Sequence, residues 1–379
     1  MDFSLSPEQE MMRKMVRDFA QKEVAPIAAE IDDKGIVPFE NIRKMAQLGL
    51  LGLTVSEKYD GSGADAISYA IAIEELAKAC ASTAIILAVQ NSLVCGGIEK
   101  FGSDEQKTKY LKPLARGEKL GAFALTEPGA GCDAAAQSTT AVRDGDSYVI
   151  NGTKHFITNG GFADVIIVFA MTDKAQRSKG ISAFLVEKGF TGFSVGKEEH
   201  KMGIRGSNTC ELVFTDMHVP AANLMGGEGQ GFKIALTMLD AGRIGVAAQA
   251  VGIAQAALDA SAKYSKERQQ FGKPICEFQA IQWMLADMTT RIEAARLLTY
   301  NAALKKQSGQ RYSKEASMAK LFASETAVFV VDRAMQIHGG YGYMKEYPIE
   351  RYYRDAKITE IYEGTSEVQR MVIARAVLE

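Results

Sequence analysis

Residues 358–370, "ITEIYEGTSEVQR", set one carboxylate, Glu363, between Tyr362 and Gly364 on what reads as a loop. Ser366 and Gln369 stand in the S-x-x-Q relation of a capping box, and the apolar run "MVIARAVL" comes next, so the spacing predicts a helix starting near Ser366. The first N–H groups of such a helix lack internal acceptors and favour an anion. A carboxylate and a phosphate-friendly helix end would lie side by side; the alternative is a plain surface cap. Upstream, "AFALTEPGAGCDAAAQST" contains Gly129-x-Gly131-x-x-Ala134, the form of a dinucleotide fingerprint, with Asp146 in the range of a ribose-binding acid. The next stretch, "AAQSTTAVRDGDSYV", is β-branched and turn-rich, so no long helix carries its dipole toward a pyrophosphate and a Rossmann unit is not expected. A simple turn, or an irregular loop presenting backbone N–H groups to a flat polar ligand, are the readings left. Cys132 with His155 lacks a third orienting group for nucleophilic catalysis. The four histidines and five cysteines show neither HExxH nor CxxC spacing, so no metal site is expected.

The elements that position these residues fall into three textures. Residues 1–120 read as helical: Ser6-Pro7-Glu8-Gln9 combines a capping box with Pro at the first helical position. Met11, Met12, Met15, Val16 and Phe19 then recur at helical spacing as a core stripe, and Pro26 is expected to close the helix. Residues 121–230 read as a β domain. Asn151-Gly152 signals a hairpin, and "ADVIIVFAMT", "GISAFLVEKG" and "CELVFTDMHVP" are strands. Residues 231–379 turn helical again, with Ile244, Ala248, Val251 and Leu258 on one face. Helices, then strands, then helices imply an α+β chain of separate domains: an N-terminal all-α domain, a central β-barrel or sandwich and a C-terminal four-helix bundle.

Composition narrows the function. Lys plus Arg (44) nearly balance Asp plus Glu (46), which leaves no field to draw nucleic acid. The most apolar window, "STAIILAVQNSLVCGGI", is interrupted by Gln90, Asn91 and Ser92, so no membrane span is expected. "MDFSLSPEQE" has no signal or transit pattern, and the scattered cysteines fit a reducing compartment; a cytoplasmic chain is expected.

Six stretches, "LTEPGAGCDA", "FITNGG", "MGIRGSNTCELVFTDMHVP", "ERQQFGKPI", "QIHGGYGY" and "RDAKITEIYEGTSEVQR", occur in the order seen in acyl-CoA dehydrogenases, and the chain most resembles their short-chain, butyryl-CoA type. The resemblance covers essentially the whole chain. It implies an FAD enzyme that desaturates an acyl-CoA thioester between Cα and Cβ, with Glu363 as the base. By the same resemblance the flavin ring lies along residues 123–132, with Phe123 on this stretch, Leu125 and Thr126 near the pyrimidine edge and Cys132 near flavin and substrate. Phe156, Ile157 and Thr158 cover the other face. Phe156 stands where many relatives carry Trp, and Cys132 where some carry Ser. Arg268, Gln270, Phe271, Gln279, Gln336, Gly339 and Gly340 match positions holding the adenosine diphosphate part, several of them from a neighbouring subunit. Thr365 and Glu367 match flavin contacts, and Asp240, Arg243 and Gly364 match substrate contacts. A homotetramer passing electrons to an electron-transferring flavoprotein is implied.

Each assignment has a plainer counterpart. Arg268 could be one charge on a solvated face, Asp240 and Arg243 could pair across a helix turn, and His338 reads as a packed residue. Glu360 is the nearest rival base but lacks the adjacent glycine. Gly242 stands where the branched-chain isovaleryl type carries its base, and it cannot serve. "ASTAIILAVQN" has no arginine of the kind that glutaryl-CoA dehydrogenases use for a second carboxylate, so a neutral acyl tail is expected. The rivals are an acyl-CoA oxidase, usually a much longer chain, and a non-catalytic flavin- or nucleic-acid-binding relative.

Overall fold

The computed structural model describes residues 4–379, so the first three residues of the acidic N-terminal run lie outside it. Ser6 caps the helix Pro7–Phe19 with the expected box: its Oγ accepts from Gln9 N (3.3 Å) and Gln9 Oε1 accepts from Ser6 N (3.0 Å). Val16 and Phe19 are buried and Met12 and Met15 pack at the core's edge, whereas Met11 faces solvent. Pro26 does not close the path. The chain passes through a π turn (Ala20–Val24) and a 3-10 turn (Ala25–Ile27) into the helix Ala28–Lys34, and it stops at Gly35 in a left-handed conformation (φ 64°). Pro26 sits in the first turn of a new segment, where a missing N–H costs little, so it kinks the path rather than ending it.

Two apolar helical paths form the centre. Residues 81–101 run as Ala81–Ala88, a π segment Val89–Cys95 and Gly96–Phe101, and the helix Gly231–Glu267 crosses beside them. Both are long and apolar enough to cross a membrane, but 94% and 78% of their most apolar windows are buried inside the fold, which makes them core helices. Ala66–Ala79, Gln279–Gln307 and Ser313–His338 pack around Gly231–Glu267, and the shorter Ile349–Ile358 and Ser366–Leu378 lie against Ser313–His338. The expected stripe of Ile244, Ala248 and Val251 is buried, yet every residue from 241 to 254 is buried too. Small residues let neighbours approach this helix from all sides.

Between the helical parts lies a sheet of eight strands: β1 (Gly121–Ala124), β2 (Thr140–Asp144), β3 (Ser147–Thr158), β4 (Val165–Met171), β5 (Ile181–Glu187), β6 (Phe193–Glu198), β7 (Thr209–Pro220) and β8 (Leu224–Met225). The order is β6-β7-β3-β2-β4-β5-β8, with β1 parallel to β4. One residue pair, Thr140 with Met171, joins β2 to β4, so the sheet behaves as two halves. Asn151-Gly152 is not the hairpin turn. The tight turn falls at Gly145-Asp146, with Asp144 paired to Ser147, and β3 runs straight through Gly152 with a bulge against β7. A Cβ at Gly152 would lie 2.5 Å from Thr139 Oγ1, so this glycine serves a close approach rather than a reversal.

A buried polar knot holds the glycine-rich loop, residues 125–139, onto β3. Lys154 is fully buried, and its Nζ donates to Leu125 O (3.0 Å), Glu127 Oε1 (2.8 Å) and Gln137 Oε1 (2.8 Å). Glu127 also accepts from Ser138 N and Oγ (both 2.6 Å) and Thr139 N (3.0 Å). Burial alone would push the Glu127 carboxyl up, but Lys154 and these donors outweigh it and hold it at about 2. No helix succeeds Gly129 and Gly131, as expected. Removing one partner strands the other charge in the interior, so Lys154→Met should cost about 3–5 kcal/mol in urea unfolding. Adding Glu127→Gln to that variant should recover part of the loss.

Candidate active site

Glu363 sits on the loop between Ile349–Ile358 and Ser366–Leu378 with φ 53°, followed by Gly364 with φ 95°. Two successive left-handed residues swing the chain sharply and aim the carboxylate at the helix Gly231–Glu267. There Gly242 receives it: a Cβ at Gly242 would lie 1.9 Å from Glu363 Oε2. The loop is tied by its carbonyls. Gln369 Nε2 donates to Glu363 O (3.2 Å) and Gly364 O (2.8 Å), and Lys320 Nζ donates to Gly364 O (2.8 Å). Tyr362 Oη donates to Gln249 Oε1, and Gln249 Nε2 to Ala81 O (2.9 Å).

The expected capping box is not formed. The helix begins at Ser366 with Thr365 as its N-cap, and Gln369 reaches back past the cap to the loop carbonyls. One residue of offset puts Gln369 beyond the position from which a side chain closes the box. Thr365 makes no side-chain bond to the helix N–H groups, and its hydroxyl lowers the Glu367 carboxyl instead. Of the first-turn N–H groups, that of Ser366 donates to Glu360 O (3.0 Å) and that of Glu367 to its own carboxylate, so the helix start is partly satisfied from within the chain. Cys132 Sγ lies 3.9 Å from Thr365 Oγ1, which brings the glycine-rich loop to this helix end.

Glu363 as a residue is half-buried, but its Oε2 is enclosed and has no hydrogen-bond donor among the described residues. Burial raises this carboxyl to about 7, while Arg243 and Lys320 pull it the other way. The amide N–H of Glu363 also finds no acceptor among the described residues. A near-neutral carboxylate beside an open backbone donor can take a proton from carbon and stabilise the oxygen that becomes negative.

The other expected residues fall into groups. Phe123 is on β1 and Leu125 and Thr126 come after it, while Phe156, Ile157 and Thr158 end β3; His155 N donates to Thr126 O (2.8 Å) and locks the two stretches together. A register shift between Lys154 and Ile157 turns Phe156 outward at φ 58°, leaving it 60% exposed with an open aromatic face. Asp240 and Arg243 do pair across a helix turn (2.6 Å), and Arg243 is buried against Ser317. Asp240 nevertheless lines a 330 Å³ cleft with Ser178, Lys179, Phe232 and Lys233. Arg268, Gln270, Phe271, Gly339 and Gly340 surround a separate cavity of 780 Å³, with Gln279 and Gln336 on the helices that flank it. His338 is packed, stacked on Tyr264 at 4.3 Å. Lys320, beside Gly364, and Gly339 are 19 residues apart on one helical path, so this cavity lies about 28 Å from the carboxylate's loop at ~1.5 Å per residue. The structure does not bring the two groups together within one chain. Sequence reasoning missed Lys320 and Gln249; each shares its helix with other polar residues, so spacing alone gave no signal that singled it out.

Comparison with known proteins decides the lineage. The acyl-CoA dehydrogenase N-terminal, middle and C-terminal domains match residues 6–118, 122–217 and 229–378. The chain belongs to the acyl-CoA dehydrogenase family. Members of this family are flavoprotein oxidoreductases. The chain is 57% identical over 374 residues to a short-chain specific acyl-CoA dehydrogenase of Clostridium acetobutylicum, covering 99% of each. It superposes on butyryl-CoA dehydrogenase from Megasphaera elsdenii with a TM-score of 0.99 at 54% identity, covering 100% of both chains. A chain in the solved structure of the electron transferring flavoprotein of Acidaminococcus fermentans matches equally, with a TM-score of 0.99, 55% identity and 100% of both chains covered.

The buried carboxylate has a signature in stability. Its folded value of about 7 lies above the ordinary value of 4.5. The fold therefore disfavours the ionised form, with no cost below the unfolded value and the full cost above the folded one. Glu363→Gln should melt a few degrees above the wild type at pH 8, and the gap should close by pH 4.5. Scanning calorimetry across this range checks it.

Proposed function

We propose that this acyl-CoA dehydrogenase converts short-chain acyl-CoA thioesters to their α,β-enoyl forms, in the manner of butyryl-CoA to crotonyl-CoA, with FAD as cofactor and an electron-transferring flavoprotein as the next carrier. One observation carries the reading: an enclosed carboxylate raised to about 7, unpaired among the described residues, beside an amide N–H that likewise finds no acceptor among them.

FAD fits the residues present. Phe123, Leu125 and Thr126 form one wall for the ring system, and Phe156, with its open face, Ile157 and Thr158 form another. Thr365 and Glu367 stand at a helix start, where the positive end of the helix dipole suits an anionic group. Arg268, Gln270, Phe271, Gln279, Gln336, Gly339 and Gly340 would hold the adenosine diphosphate part of a cofactor seated in another copy of the chain, which their distance from Glu363 favours; a homotetramer accommodates this. When bound, FAD supplies the acceptor for the hydride that leaves Cβ. Glu363 takes the proton from Cα, and its own N–H donates to the thioester oxygen. Gly364 lets the thioester lie against the backbone. Asp240 borders the cleft for the CoA moiety, Arg243 holds Asp240 in place, and Cys132 lies beside the thioester end.

Chain length is set by the helix face beneath Glu363. Gln249 stands seven residues after Gly242, on nearly the same face and about 10 Å along the axis. Its bonds to Tyr362 and Ala81 close the space with a polar plug, which favours a short tail. The names of the similar proteins from Clostridium and Megasphaera support the same substrate class, and the match from the Acidaminococcus structure supports the electron carrier.

Anaerobic titration with straight-chain acyl-CoAs from C4 to C16 should bleach the flavin fastest at the short end; an optimum at C12 or longer overturns the assignment. Glu363→Gln should slow bleaching roughly 10²–10⁴-fold. The wild-type rate should rise with pH and level off above about 7, because the base acts only when ionised. Gln249→Ala should move the optimum toward longer chains. Rapid aerobic reoxidation of the reduced enzyme would mark an oxidase instead.

A further inference from the structure

Two of the six sequence stretches contain parts that the site does not use: "MGIRGSN" (202–208), between β6 and β7, and "RDA" (354–356), on the helix Ile349–Ile358. The fold presses them together. Arg354 Nη1 donates to Met202 O (3.0 Å), a Cβ at Gly203 would lie 2.4 Å from Arg354 O, and Asp355 Oδ1 accepts from Ile204 N (2.5 Å). Three consecutive loop residues are fastened to two consecutive helix residues. Ile204 sits at φ 43°, a strained setting for a β-branched side chain. Asp355 is buried, and burial pushes its carboxyl up to about 6 against the pull of the Ile204 N–H. The Arg354 fork also grips Asp32 of the N-terminal helices (2.6 and 3.0 Å) and Glu350 (2.7 and 2.9 Å). A strained backbone and a buried carboxylate are kept at one contact, which calls for a use.

Each side of the contact leads to the site. On the loop side, Asn208 O accepts from Asn159 N (3.0 Å), Asn208 Oδ1 accepts from Gly161 N (2.8 Å), and Thr209 pairs with Thr158. These bonds fix the end of β3, where Phe156, Ile157 and Thr158 form the wall read above for the ring system. On the helix side, Ile358 O accepts from Tyr362 N (3.1 Å) and Glu360 O from Ser366 N (3.0 Å), so the loop of Glu363 hangs from this helix. The base and the ring wall therefore belong to different domains. Desaturation takes a proton from Cα and a hydride from Cβ, two carbons joined by one bond, so base and ring must keep one separation. A misplacement of ~1 Å costs about 10²-fold in rate.

We propose that Asp355, through Ile204, is the positioning residue that holds the helix carrying Glu363 in register with the end of β3, at the one separation that both transfers need. This coupling rests on the base and flavin-wall roles given above. Asp355 acts through the backbone and takes no part in either transfer.

The test reads anaerobic bleaching of FAD-loaded enzyme by butyryl-CoA deuterated at Cα or at Cβ, and amide hydrogen exchange of the same proteins without substrate. Asp355→Ala should slow bleaching about tenfold or more. Its sensitivity to deuterium at Cβ should rise and that at Cα should fall, because the hydride step becomes the harder one while the base still works. These ratios do not depend on the fraction folded. Amides of residues 156–161 and 359–366 should exchange faster together, with those of β4 unchanged. Asp355→Asn keeps an oxygen for the Ile204 N–H and should restore both readouts. Should Asp355→Ala not fold, Arg354→Lys, which gives up the forked grip on Asp32 and Met202, should show the same shifts at smaller size. A wild-type rate in Asp355→Ala overturns the coupling, as do unchanged isotope sensitivities in a slowed variant. So does faster exchange on one side only or throughout the fold, or an asparagine variant as slow as the alanine one. Failure of the underlying readings looks different: Glu363→Gln would then bleach as fast as the wild type, or Phe156→Ala would leave the flavin absorption unmoved.

Discussion

A carboxylate with no hydrogen-bond donor among the described residues, pressed against a helix at a residue with no side chain, is the constraint around which the molecule is arranged. Glu363 Oε2 needs the room at Gly242, since any Cβ there would collide with it at 1.9 Å. Isolation from donors and from water raises the carboxyl to about 7, which suits a base working near neutrality. Lys320 and Arg243 lean against that rise without bonding the carboxylate. Burial pushes the Lys320 ammonium itself down to about 8, and its bond goes to the Gly364 carbonyl rather than to the acid. The same cation therefore fixes the loop and limits how far the carboxyl climbs.

Holding a charge this way needs rigid surroundings, because a mobile loop would let the acid find water. Gln369, Lys320 and the Tyr362–Gln249 bond fasten the loop at three consecutive residues, each from a different helix. The β part answers with its own fixed point. The Lys154–Glu127 knot sets the glycine-rich loop on β3, and the His155–Thr126 bond carries that placement to Phe156. Cys132 and Thr365 meet where the two halves of the site join.

Much of this was legible in the chain itself. The α–β–α order, the strands and the first capping box come from periodicity and turn chemistry, and the base role proposed for Glu363 comes from the resemblance of six motifs. The errors were local signals outweighed by packing. Asn151-Gly152 has hairpin chemistry, but Thr139 needs that glycine for a close approach, and Gly145-Asp146 takes the turn. Pro26 kinks a helical path that continues on the far side. Ser366 and Gln369 have capping-box spacing, yet the helix starts one residue earlier than that role requires.

The sequence by itself determined which residue types were available: one carboxylate next to a glycine, small residues along a long helix, aromatic residues at strand ends. Those choices are local and leave marks in spacing. Only the tertiary structure decided that Gly242 faces Glu363, that Lys320 and Gln249 fasten its loop, and that the Arg268 cavity lies far from the carboxylate. Each depends on contacts between elements distant in the chain, and on whether a buried polar atom finds a partner. Spacing along one strand of sequence carries no record of either.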